Sequence, residues 1–158
     1  MRTKSTNFLQ AVILLTGVIY FITGVIFYFS PVIFLGMFSI DVPESWLSGI
    51  QFDPLFAPLY YFAKCFAAIL LTSGLSLILP LYDPLKYRGL VYYMGIVFPF
   101  LAFVSLIYKG FKSSYGVFPP VEINHMIMAI YSGIFLLILI LMIVALTVTK
   151  KNAKAGIE

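Results

Sequence analysis

Charge is what this sequence lacks most. Asp, Glu, Lys and Arg make up 10% of its 158 residues, against about 25% in an average soluble domain. With 62% hydrophobic residues, there is far more apolar side chain than a soluble domain of this size has interior to hide. Cysteine is nearly absent too. Cys65 alone excludes an intramolecular disulfide and a cysteine-built metal site, and reads as a buried, inert thiol. The one histidine, His125, with one glutamate nearby, leaves too few ligands for a metal. The sequence contains no phosphate-binding glycine loop, nucleophile elbow or H-E-x-x-H motif. No catalytic set, metal or cofactor is implied. The net charge of +4 sits mainly at segment ends, where basic residues face headgroups, so it is not a nucleic-acid signal.

What is present is a series of long apolar runs, with a mean hydropathy of +1.05. About 20 apolar residues cross roughly 30 Å of hydrocarbon. Four such runs are expected as helices, at about residues 8–29, 59–81, 89–108 and 121–148. The fold class is therefore all-α: an integral membrane four-helix bundle, one transmembrane domain over residues 1–158, with 149–158 as a polar cytoplasmic tail. The first run follows a basic start. At roughly 22 residues it outlasts the 7–15 of a cleavable signal and lacks an A-x-A-like site, so it should remain as the first span. Gly17 and Gly24 lie seven apart on one of its faces and suit close approach by another helix. Pro31 ends or kinks it.

Residues 30–56 contain no Lys or Arg but carry Asp41, Glu44 and Asp53. Within them, IDVPESWLSGI reads as a short helix with Trp46 at the headgroup boundary. An interfacial or re-entrant outer loop is expected. Pro99 falls in the middle of the third run and should kink it, freeing the carbonyl around Gly95. Tyr60, Tyr61, Tyr92 and Tyr93 fit interfacial belts.

Four crossings put both termini on one side. That side holds Arg2, Lys4, Lys86, Arg88, Lys150, Lys151 and Lys154, while the other holds Lys109 and Lys112. The imbalance favours cytoplasmic termini.

One charge lies inside an apolar run. Lys64 stands about two turns into the second run, with Ala68, Thr72 and Ser76 following at fourfold spacing. Such a stripe should face protein or a wet cavity. Glu122, His125, Ala129 and Ser132 share a face at the start of the fourth run. Topology puts Asp53, Lys64, Glu122 and His125 in one outward-facing layer, the candidate ligand-binding cluster. Glu122 is the first choice as partner of Lys64, and Asp53 the second. The structural alternative is that Lys64 snorkels while Glu122 caps its helix.

The order of these runs, with SPVIFLGMF after the first and a D-P-x-x-x-R turn formed by Asp83, Pro84 and Arg88 after the second, resembles the uncharacterised DoxX-like and BphX-like four-helix bacterial inner-membrane proteins. The resemblance covers roughly residues 10–145. It implies an accessory protein of a membrane redox or catabolic system, and it maps no functional residue onto Lys64 or His125. The leading expectation is a non-catalytic accessory or scaffold subunit, in contact with membrane lipids and with partner subunits or further copies of itself. The alternative is a lipid- or quinone-binding, even lipid-modifying, protein using the outer cluster. A proton-coupled exporter ranks third, because Glu122 lies near a helix end rather than at the midplane.

Overall fold

The computed structural model describes residues 4–37, 54, 57–84, 86–114 and 125–154. Among these there is helix and no strand. The elements are α1 (Lys4–Phe29), α2 (Pro31–Met37), α3 (Ala57–Ser76), α4 (Leu79–Tyr82), α5 (Arg88–Tyr92), a π-helical segment (Tyr93–Val97), α6 (Phe98–Ser114) and α7 (His125–Lys154). They supply four stretches long and apolar enough to cross a membrane: Ser5–Phe29, Ala57–Tyr82, Arg88–Tyr108 and Met128–Asn152. Helix is the form such stretches must take, since hydrocarbon offers no partner for a free backbone N–H or C=O. The first part of the expected outer loop is helical, as α2, and Trp46, with most of the remainder, lies outside the described residues. The last helix runs to Lys154, past the expected end at Val148, so the start of the expected tail is helical.

The prolines set the breaks. α1 stops at Phe29, and α2 starts on Pro31 itself, where a missing N–H costs nothing. Pro80 lies in the first turn of α4. Ahead of it the ladder tightens, with Ile78 N–H donating to Leu75 O at 3.1 Å. Pro99 acts one step differently from expectation. The helix widens ahead of it, and Phe98 N–H reaches back five residues to Tyr93 O. The next donor in that register would be Pro99, so the carbonyl left over is that of Met94 rather than Gly95.

α1 is the central element, packed against α3 on one side and α7 on another, while α6 packs on α7. Its buried residues, Leu9, Val12, Ile13, Thr16, Tyr20 and Phe27, recur at helical spacing. The α1–α3 crossing is built on glycine, as the seven-residue spacing suggests. A Cβ on Gly74 would stand 2.7 Å from Gly17 O and 2.8 Å from Phe21 N, and one on Gly24 would stand 2.7 Å from Leu71 N. Backbone meets backbone there, an approach open only to residues without a side chain.

Polar contacts tie one end together. Gln10 Nε2 donates to Leu81 O at 2.6 Å, and Thr149 Oγ1 donates to Ser5 O at 3.3 Å. The Asp83–Pro84 turn is held by its own carboxylate, which accepts from Lys86 N–H at 3.0 Å.

Candidate functional site

Lys64 lies in the second turn of α3, half-buried. Its Nζ stands 4.9 Å from the ring centroid of Tyr60, one turn back on the same helix. It stands 5.5 Å from the ring of Tyr28, in the last turn of α1. The glycine crossing brings these together: with α1 and α3 close at Gly24, the end of α1 falls level with the start of α3. Each ring face attracts the cation by about 0.5–2 kcal/mol, more as water is excluded. The ammonium is thus held by aromatic faces.

The acid partners expected for Lys64, Glu122 and Asp53, lie outside the described residues. His125 opens α7, and its side chain is likewise outside the description. Of the four cluster residues, the structure places the side chain of Lys64 alone. The one acid among the described residues, Asp83, belongs to the turn at the opposite end. Among the described residues, no group of three His, Cys, Asp or Glu side chains stands together.

The polar stripe beyond Lys64 is not assembled as expected. Thr72 is exposed, and its hydroxyl donates to Ala68 O at 2.9 Å and Ile69 O at 3.0 Å. Ser76 donates to Ser73 O at 2.8 Å. A hydroxyl in an apolar span can satisfy itself on the preceding turn of its own helix, and these do so. Ser132, on the face shared with His125, donates to Met128 O at 2.7 Å in the same way. The thiol reading is also corrected. Cys65 is exposed, because Ala63 and Ala67 take the inward positions on that stretch of α3.

The tyrosines divide. Tyr61 and Tyr93 are exposed, as belt residues should be. Tyr60 serves Lys64, and Tyr92 accepts a hydrogen bond from Arg88 Nη2 at 3.1 Å.

Two features went unread in the sequence. One is an apolar groove of about 240 Å³ over the α1–α3 crossing, floored by Gly17 and Gly74. Its signal in the sequence is a glycine on each helix. The other is a bare notch on α7. Ala129 and Gly133 are both exposed one turn apart, and among the described residues nothing lies within 4 Å of where a Gly133 Cβ would stand. No protein-family model matches this chain, and neither does any curated protein or solved structure.

Proposed function

We propose that this chain is a small non-catalytic subunit of a larger membrane assembly, working by helix packing within the bilayer. The observation that carries the reading is the notch at Ala129 and Gly133. The glycines of α1 and α3 are used up in the protein's own crossing, whereas among the described residues Gly133 has open space before it. Small residues one turn apart let a second helix approach closely in lipid, where packing rather than the hydrophobic effect drives association. In this reading the four spans form one bundle in a bacterial inner membrane, as the DoxX-like resemblance implies. Both termini are cytoplasmic and the acidic connection after α2 is external.

Gly133→Leu fills the notch, where the Cβ position is open among the described residues. The expected result is that protein extracted in mild detergent loses the subunit, or the second copy, that accompanies the wild type. Its own melting temperature should hold or rise slightly through helix propensity. A wild-type protein that is monomeric and unaccompanied after extraction sinks the reading.

One observation favours the second reading, a lipid- or quinone-binding protein using the outer cluster. Lys64 keeps a cation inside an apolar span, flanked by rings, an arrangement able to take a headgroup phosphate or a quinone carbonyl. Loss of a co-purified lipid or quinone on Lys64→Met, with the fold retained, would place this reading first.

A further inference from the structure

The apolar groove and the basic end of the molecule adjoin each other. The groove floor is Gly17 and Gly74, and its walls include Leu14, Val18 and Phe21 of α1 and Ile78 beyond α3. The wall residues Leu14, Val18 and Ile78 are exposed along their outer edges, so the groove opens outward, where lipid tails lie. It extends to Leu81, whose carbonyl is bonded to Gln10. Two residues on, Asp83 folds the chain back and brings Lys86 N–H to 3.0 Å from its carboxylate. Lys86 is exposed, as is Arg88. The Thr149–Ser5 bond draws the end of α7, with exposed Lys150 and Lys151, to the same end. Lys4 opens α1 there. Among the described residues Asp83 is the one acid at this end, and its carboxylate is engaged by the turn.

We infer that the groove holds one acyl chain of an anionic phospholipid whose headgroup phosphate lies against Lys86 and Arg88. Charge decides the kind of occupant. The groove is lined by apolar side chains and glycine, and at the end it runs toward, the described charged side chains are cations apart from the turn's own Asp83, the pattern that suits an apolar tail below an anionic headgroup. Depth agrees. Leu81, two residues before the Asp83 turn, marks the shallow end of the groove, and Gly17, 13 residues from Lys4 and so about 20 Å at 1.5 Å per residue, marks its deep part, so the groove runs from near the basic headgroup layer toward the bilayer midplane. A tail entering from that headgroup layer runs along it. The cations then select among headgroups. Arg88 spends one donor on Tyr92 and keeps the rest of its guanidinium fork for a phosphate.

Native mass spectrometry of the full chain tests this, after equilibration with vesicles of equal phosphatidylglycerol and phosphatidylcholine. The expected result is one phosphatidylglycerol retained per protein, in preference to phosphatidylcholine. Lys86→Gln with Arg88→Gln should lower that preference by roughly fivefold per charge removed. Val18→Trp, which fills the groove from its outer wall, should abolish the tightly held lipid. Ile78→Trp, on the facing wall, is the independent test should Val18→Trp fail to fold. Equal retention of the two lipids by the wild type overturns the inference. So does unchanged retention in a folded groove variant. A groove variant that alters oligomeric mass instead of lipid retention assigns the groove to a second copy of the chain and overturns it equally.

Discussion

The Tyr20 hydroxyl donates to the Met94 carbonyl at 2.8 Å, from the middle of α1 to the π-helical segment. Tyr20 is buried, with its ring edge-on to Phe98 at 5.3 Å. Met94 is the residue whose carbonyl would be served by Pro99 in the five-residue register, and Pro99 has no N–H to give. The tyrosine supplies the missing donor across the helix interface. In a membrane span that carbonyl has no water to turn to, so Tyr20→Phe should destabilise the protein by about 1–3 kcal/mol. Pro99→Ala restores a backbone donor. In that background Tyr20→Phe should cost less, and the shortfall in a double-mutant cycle on thermal unfolding measures the bond. Additive effects would mean that the contact contributes nothing beyond ring packing.

The glycines should divide into three groups by what their missing side chains would meet. At Gly74 and Gly24 a methyl group meets backbone atoms below 3.0 Å, which yield only if the helices part. Gly74→Ala and Gly24→Ala should each cost about 1–3 kcal/mol by overpacking. At Gly95 the clash is with the flexible Met142 side chain, and the cost should be smaller. At Gly133 there is nothing to meet among the described residues, so Gly133→Ala in the isolated protein should be neutral or stabilising by up to about 1 kcal/mol through helix propensity. Melting temperatures in one detergent rank the four. A Gly74→Ala protein as stable as the wild type would contradict the crossing geometry.

Much of this was legible because membrane helices declare themselves by length and apolarity. The four spans, the break at Pro31 and the packing role of Gly17 and Gly24 all follow from local rules. Pro99 was legible as a disturbance, but not the register it imposes. Whether the helix kinks or widens depends on a donor such as Tyr20 arriving from another helix, which spacing within one segment cannot show. The stripe from Lys64 to Ser76 misled for a related reason. Fourfold spacing puts side chains on one face, but a serine or threonine hydroxyl can turn back to its own helix, and then the face is no longer polar. The candidate cluster was legible in part. The Tyr60–Lys64 pairing was available from its one-turn spacing, whereas Tyr28 reaches Lys64 only through the tertiary crossing.

The ring contacts make a quantitative forecast for Lys64. Lys64→Met combined with Tyr60→Leu, and separately with Tyr28→Leu, should show coupling of about 0.5–2 kcal/mol in thermal-stability cycles. The cycles with Glu122→Gln and Asp53→Asn ask about the acids. Removing one member of a buried ion pair costs about 3–5 kcal/mol, so coupling of that order with either acid would make it the principal partner and the rings secondary. Coupling to the rings alone would establish Lys64 as an aromatic-held cation. Additivity in all four cycles would mean that it snorkels to the headgroups.

Orientation is the last expectation, and the placement of the candidate cluster depends on it. The structure gathers Lys4, Lys86, Arg88, Lys150 and Lys151 at one end, and basic residues near short loops are retained on the cytoplasmic side. Reporter fusions at the Lys86 turn and after Lys154 should therefore both read cytoplasmic, and a fusion near Glu44 should read external. Lys64 begins the span that enters from the other end, so it then lies in the outer leaflet, and the groove runs from the midplane at Gly17 into the inner one at Leu81. The two proposed lipid contacts would meet different leaflets and different headgroups. An external reading at Lys86 would exchange them. The groove would then face the outer leaflet, and the Lys64 cluster would address ligands arriving from the cytoplasm.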